Sequence, residues 1–299
     1  MSTPSGIIVI DKPIGITSHN CISKLRWLLK EKKIGHCGTL DPMASGVLPI
    51  MIGSAVKASE YLVDHDKRYF AGIELGITST TEDILGEILT EHIGVLPDFN
   101  EFSKAAKSFE GEIMQTPPMY SALKVGGVKL VDLAREGVTI ERKARKVNIY
   151  SCEPSQVDGE YFLDVRCSRG TYIRTLCADI GNKLGCGAVM SSLCRTEVGV
   201  FKREDAIPFD NLNDMSVSEI LSHLIPTEKM FMHLPEVRLD DFFDRLYRQG
   251  QKIRTGKLKG IFGESGDLYR VYDENGFYSL GEITEIDGKK YFYQKKSFR

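Results

Sequence analysis

The residue best placed to do chemistry is Asp41. It stands in Gly35-His36-Cys37-Gly38-Thr39-Leu40-Asp41-Pro42-Met43-Ala44-Ser45-Gly46, a run otherwise made of small, apolar and turn-forming residues. Pro42 biases Asp41 toward an extended or turn backbone. Gly35, Gly38 and Gly46 permit backbone angles other residues avoid and let a ligand come close. A carboxylate displayed on such a loop can act as nucleophile or general base, and an acid there is more often functional than one on a solvated helix face. Taken alone, a Gly-flanked Asp-Pro is most often just a turn.

Two further segments carry polar or aromatic groups on an apolar frame. Asp66-Lys67-Arg68-Tyr69 opens a strand pattern, in which Tyr69 by itself reads as a packed aromatic. Cys167-Ser168-Arg169-Gly170-Thr171-Tyr172-Ile173-Arg174-Thr175-Leu176 reads as a strand, a Gly turn and a helix start. Arg174 near a helix N-terminus opposes the macrodipole unless an anion lies close. No G-x-x-x-x-G-K-[ST] loop and no G-x-G-x-x-G after a strand occurs, so nucleotide cofactors have no support. The six histidines never fall at H-x-x-x-H spacing, and no metal site is expected. His36 and Cys37 are adjacent, and neighbours on an extended segment point apart, which disfavours a Cys-His nucleophile pair.

These residues need a scaffold, and 299 residues at 42% hydrophobic and 27% charged are enough for one large or two smaller cores. Residues 6–12 read as a buried strand. Thr17 or Ser18 then caps a helix with Ile22, Leu25, Leu28 and Leu29 on one face. After the Asp41 loop, residues 47–52 form a strand that Pro49 assigns to an edge or a bulge, and 54–61 a second helix. Residues 67–75 and 86–90 read as paired strands flanking a polar loop at 78–83. Asp98 caps a helix reaching Phe109, and Gly126-Gly127 marks a hairpin over 124–129. A short helix over 130–136, strands at 146–152 and 161–167, a helix over 171–184 closed by Gly185, and a strand at 189–198 follow. Helical turns are expected at 217–224. From Leu234 short strands alternate with Gly turns, as in a small all-β module. The layout is α+β, not the alternating βαβ of a doubly wound fold.

Five stretches, in this order, resemble the bacterial tRNA pseudouridine-55 synthases, the B-type pseudouridine synthase family. They are residues 35–49 around Asp41, Asp66-Lys67-Arg68-Tyr69, Met119-Tyr120-Ser121-Ala122-Leu123-Lys124, Arg169-Gly170-Thr171-Tyr172-Ile173-Arg174-Thr175, and Leu184-Gly185-Cys186-Gly187-Ala188. The likeness covers roughly residues 6–201. It implies a catalytic domain over 1–230 built on a mixed, mostly antiparallel sheet with flanking helices. An RNA-gripping insertion is expected at about 124–146 and a PUA-like RNA-binding β domain over 231–299, where no motif is itself specific. The implied reaction isomerises uridine to pseudouridine, breaking the N1–C1′ bond and rejoining the ring through C5, and needs no cofactor or metal. Asp41 would be the essential acid and Arg174 its basic partner. Tyr69 would stack on the flipped uracil and help remove the C5 proton. Tyr172 and Leu193 would wall the pocket, and His36 would wedge into the RNA loop. Val131 sits where many members carry an aromatic, and Cys37 where a small polar residue is more usual.

The formal net charge of −2 argues against nonspecific coating of nucleic acid. Residues 124–146 nevertheless hold seven basic against three acidic residues, and Lys124 and Lys129 there would meet phosphates of the T arm of tRNA, the expected partner. Residues 238–299 hold thirteen basic against ten acidic. Seven cysteines without a C-x-x-C pair, and an N-terminus without a basic leader, suit a cytoplasmic protein. No run of eighteen apolar residues is present to cross a membrane. A monomer is the expected state. The rival readings are a tRNA-folding chaperone with no catalytic role and a subunit of an RNA-guided pseudouridine synthase.

Overall fold

The computed structural model describes residues 4–62 and 65–299. The first three residues of the N-terminal stretch read above therefore lie outside the described residues. The chain opens with β1 (Gly6–Lys12), α1 (Ser18–Leu29), β2 (Ile34–His36) and β3 (Ala44–Ile52). Thr17 is the N-cap of α1, and with Asn20 it forms a capping box. The expected second helix is split into a 3-10 stretch (Gly53–Ala58) and one α turn, α2 (Ser59–Leu62). Next come β4 (Lys67–Leu75), β5 (Ile77–Ser79), β6 (Ile88–Glu91), α3 (Phe99–Lys107) and β7 (Gly111–Gln115). The hairpin β8 (Lys124–Val125) and β9 (Val128–Lys129) leads into α4 (Leu130–Arg135). Then follow β10 (Arg145–Val157), β11 (Glu160–Cys167), α5 (Ile173–Leu184), β12 (Ala188–Val198), β13 (Phe201–Lys202), β14 (Ile207–Pro208) and α6 (Val217–Ser222).

Ten of these strands form one sheet in the order β14-β1-β3-β12-β4-β11-β10-β7, with β13 on β12 and β2 on β3. Most pairs are antiparallel; β1 with β14 and β3 with β12 are parallel. The apolar run of β1 is buried on both faces. Ile8 and Ile10 join Leu48, Ile50 and Ile52 of β3 in a core with α1, α3 and α5, while Ile7 and Val9 pack with Val47, Met51, Phe231, Leu280 and Phe298 on the other side. Alternation in β4 is plain: Tyr69, Ala71, Ile73 and Leu75 go to the helix-side core, and Arg68 and Phe70 point outward.

Three expectations are corrected. β4 does not pair with residues 86–90; its neighbours are β11 and β12, and β6 pairs instead with β5, inside the supposed polar loop. Long-range partners of similar apolar character outcompete the local hairpin. β3 is an interior strand, not an edge. It pairs with β1 over residues 46–52, and on its other side with β12 over 44–46 and β2 over 50–52. Pro49 falls in the interval between those last two ladders, where no strand partner requires the missing N–H. The C-terminal part is not all-β. It contains β15 (Glu236–Arg238), α7 (Asp241–Arg248), β16 (Ile253–Arg254), β17 (Leu268–Asp273), β18 (Gly276–Ile286) and β19 (Lys289–Ser297). These strands form a five-stranded sheet in the order β15-β17-β18-β19-β16. Asp240 caps α7, whose Tyr247 is fully buried among Val271, Tyr278 and Phe292. The density of glycine turns around that segment masked its helical spacing.

The β3–β12 junction is unusually tight. Gly46 has φ of +106°, and a Cβ there would lie 2.1 Å from the carbonyl oxygen of Arg195. Gly46→Ala is expected to lower folding stability by at least about 2 kcal/mol, through backbone strain and steric overlap at one site. Chemical denaturation of the variant beside the wild type measures this.

Candidate active site

Sheet register gathers the site. Leu193 of β12 lies opposite Ala44 of β3, and Arg195 of β12 lies opposite both Gly46 of β3 and Tyr69 of β4. The loop between β2 and β3, which carries Asp41, therefore sits beside Tyr69 and Leu193. α5 packs against β12, with Ile173, Leu176, Cys177 and Ile180 buried, and brings Arg174 from its first turn. Gly185, at φ of +77°, ends that helix as expected.

Asp41, Tyr69, Tyr172, Arg174 and Leu193 line one cavity of about 610 Å³, within the range of small-molecule sites. His36, Lys124 and Lys129 are not among its lining residues. His36 lies in β2, half-buried, and its Nδ1 is buried with no hydrogen-bond partner among the described residues. Burial, then the charges of Arg195 and His19, push its pKa down, so the ring is neutral at neutral pH. Lys124 and Lys129 face each other across the exposed β8–β9 hairpin.

Arg174 is the hub. Its side chain is only 6% exposed, yet it bears a charge. Nη2 lies 3.0 Å from Oδ2 of Asp41 and donates to the carbonyl of Tyr120 at 2.8 Å. Nη1 donates to the carbonyl of Thr81 at 3.0 Å and lies 3.5 Å from Oδ2 of Asp83. Two carboxylates and two carbonyls thus offset both the desolvation of the guanidinium and its unfavourable place at a helix N-terminus. Asp83 is itself buried and fixed, because its Oδ1 accepts from the Thr81 hydroxyl at 2.6 Å and the Leu85 N–H at 3.1 Å. Sequence reasoning missed Asp83, which reads there only as a turn former.

The backbone around Asp41 is held from α1. The Ser18 hydroxyl accepts from the N–H of Leu40 at 2.9 Å and donates to its carbonyl at 3.2 Å. Beneath the loop lies Arg195, 1% exposed, donating to the carbonyls of Val47 and Gly38, each at 2.9 Å. A Cβ on Gly38 would come within 3.2 Å of Nη1 of Arg195. The loop glycines at 38 and 46 were expected to make room for a ligand; the room is taken by Arg195. Tyr69 is nearly buried, and desolvation raises its phenol pKa against the opposing pull of Arg195, so the ring stays neutral. Lys67 also lines the cavity, its pKa lowered by burial first and by Arg195 second. Arg145, Lys146 and Arg169 add an exposed cationic rim.

The geometry is that of a site holding one reachable carboxylate, 43% exposed, beside a buried cation, a neutral aromatic and an apolar wall. Residues 26–173 match the family described as "TruB family pseudouridylate synthase (N terminal domain)", and residues 174–232 match "tRNA pseudouridylate synthase B C-terminal domain". The chain is 44% identical over 282 residues to a protein named tRNA pseudouridine synthase B from Clostridium acetobutylicum, covering 94% of this chain and 96% of that one. A namesake from Francisella philomiragia is 40% identical over 295 residues, covering 97% and 95%. Among solved structures, Cbf5 in a Cbf5-Nop10-Gar1 complex superposes with a TM-score of 0.73 at 29% identity, over 98% of this chain and 85% of that one. The fold is thus that of a pseudouridine synthase, an isomerase. Within that class the chain belongs to the TruB family.

Behind Arg174, the carboxylates of Glu82 and Asp179 oppose each other. Burial first, and then Glu82, raise Asp179 to a pKa of about 6. Glu82 is also raised by burial, against the hydroxyl of Thr175 and the charges of Arg174 and Arg142. A carboxyl titrating near 6 when folded and near 3.8 when unfolded makes the folded state the tighter proton binder. Its contribution to stability falls as pH rises between those values, and above them the penalty is complete. Asp179→Asn is therefore expected to raise the melting temperature relative to wild type more at pH 7.5 than at pH 4. A gain of equal size at both pH values would contradict this account.

Proposed function

We propose that this protein converts uridine to pseudouridine in tRNA, at uridine 55 of the T loop, with Asp41 as the essential residue. The observation that carries the reading is the Arg174–Asp41 pair at 3.0 Å inside a cavity shared with Tyr69 and Leu193. It occurs in a chain that matches relatives named tRNA pseudouridine synthase B along almost their whole length.

The chemistry fits these residues. A uridine stacked in an RNA loop is out of reach, so it is extruded, at a cost of roughly a few kcal/mol. His36, a neutral ring able to stack on bases, takes the space the base leaves. Lys124 and Lys129, with the rim cations Arg145, Lys146 and Arg169, meet phosphates and fix the register of the T arm without reading sequence. In the cavity the uracil stacks on Tyr69, with Tyr172 and Leu193 as walls. Asp41 then acts at C1′ while the N1–C1′ bond breaks. Arg174 holds the carboxylate in line through a bond that only a fixed guanidinium can keep. The ring turns and rejoins through C5; the C5 proton passes by way of Tyr69 to solvent, and N1 takes up a proton, so the product is an isomer of the substrate. Neutral Tyr69 serves here as a stacking surface and short-range proton relay, because its raised pKa leaves little phenolate to act as a base.

The five-stranded sheet from Glu236 onward serves as the second RNA-contacting module, set against the catalytic sheet through Phe231, Leu280 and Phe298. The site functions without a guide RNA and in a monomer. The 40–44% identity to the tRNA synthases exceeds the 29% identity to Cbf5, and it spans 94–97% of both partners. The seven cysteines form no disulfide, in keeping with a cytoplasmic enzyme.

Asp41→Asn is expected to abolish pseudouridine formation on an unmodified tRNA transcript while RNA affinity stays within about threefold, measured by filter binding. Substantial turnover by that variant would reject the assignment. Arg174→Ala is expected to slow the single-turnover rate by about 100-fold or more, because it releases Asp41 and leaves Asp83 buried and unpaired. Mapping pseudouridine in tRNA from cells with and without the protein then tests uridine 55 as the target.

A further inference from the structure

Gln115 ends β7, and its side chain is almost wholly buried, at 2% exposure. Both ends of its amide are committed to one residue. Nε2 donates to the carbonyl of Tyr172 at 3.0 Å, and Oε1 accepts from the N–H of Tyr172 at 2.8 Å. The side chain thus imitates a strand neighbour for a residue that belongs to no strand. Tyr172 is the N-cap of α5 and has no side-chain capping bond of its own. Its carbonyl also accepts the first helical bond, from the N–H of Leu176 at 3.0 Å. Arg174 leaves the helix two residues later, toward Asp41. Gln115 is also in register with Arg145, where the excursion over residues 116–144 departs from the sheet and returns to it.

We propose that Gln115 is a positioning residue for the isomerisation. Its amide locks the peptide of Tyr172, and through it the direction in which the first turn of α5 presents Arg174 to Asp41. The proposal rests on the roles given above to Asp41 and Arg174. An apolar replacement leaves a buried N–H without a partner and a carbonyl with one bond fewer. The start of α5 then settles elsewhere, and a displacement of about 1 Å in a catalytic group costs on the order of 100-fold in rate.

The test uses the full chain and an unmodified tRNA transcript labelled with tritium at uracil C5. Rates are taken under single-turnover conditions so that slow variants remain measurable. Gln115→Leu is expected to lower the rate roughly 10- to 100-fold while RNA affinity changes less than about twofold. Gln115→Glu, which keeps the acceptor for the Tyr172 N–H but loses the donor when ionised, is expected to fall between Leu and wild type, and it stands in if the leucine variant does not fold. On an Arg174→Ala background the same Gln115 substitutions are expected to have little further effect, because the group they position is gone. A wild-type rate for both Gln115 variants overturns the proposal. So does a loss that persists in full on the Arg174→Ala background, and so does a loss wholly in RNA affinity. A wild-type protein inactive on this transcript instead rejects the functional reading, and this proposal with it.

Discussion

A guanidinium removed from water must be given partners, and the demands of Arg174 organise this active site. The free energy lost on dehydrating such a group is several kcal/mol, and one ion pair does not recover it. Arg174 therefore gathers oxygens from the Asp41 loop, from Thr81 and Asp83 after β5, and from Tyr120 at the root of the β8–β9 excursion. Three chain segments far apart in sequence are pinned to one side chain of a fourth. The parallel β3–β12 junction and the packing of α5 on β12 are what allow it, since they set the helix start beside the β2–β3 loop. Any rearrangement of one segment leaves a buried charge short of partners, so the segments are energetically coupled.

A second buried cation works from below. Arg195 reaches the carbonyls of Val47 and Gly38, one on either side of Asp41. Two of its donors go to backbone carbonyls, and it supports the loop without competing with Arg174 for the carboxylate. The positive charges of Arg195 and Lys67 beneath the cavity, with Arg145, Lys146 and Arg169 at its rim, make the whole recess attractive to a phosphate-bearing ligand despite the net charge of −2. The negative balance is carried elsewhere, and the global charge says nothing of this local field.

Much of this was legible in the residues, and the remainder divides by physical cause. Strand β1 announces itself by an apolar run, β10 and β11 by apolar residues alternating with polar ones, and α1 and α3 by capping boxes. Pairing partners do not: β4 lies between strands roughly 95 and 120 positions away in the chain, and no local pattern encodes that distance. Pro49 misled because its missing N–H was read as a property of an edge, whereas an interior strand with two short partners end to end offers the same gap. Asp41, Tyr69 and Arg174 could be named because they stand in motifs of the family. Asp83, Arg195, Ser18 and Gln115 bear on the site through bonds to backbone or through long-range contacts, and their local sequence looks like an ordinary turn, strand or cap. The loop glycines were read correctly as sites of close approach, but what approaches is the protein itself.

The ion pair does not by itself account for the order of the site. Asp41 is 43% exposed, and a pair with one end so wet contributes little and tolerates several geometries. The precision comes from the backbone behind each partner. A loop that must open onto a cavity cannot lie in a sheet, so its peptide groups lack ladder partners and must find others. The residue before Asp41 finds both in the hydroxyl of Ser18. The residue two before Arg174 finds both in the amide of Gln115. In each case one polar side chain offers a donor and an acceptor to the N–H and C=O of a single residue, restoring what a neighbouring strand would have given while leaving the outer face free. The carboxylate and the guanidinium are thus aimed at each other by the backbone behind them, and the bond between them then holds the side chains in the alignment the backbone has set.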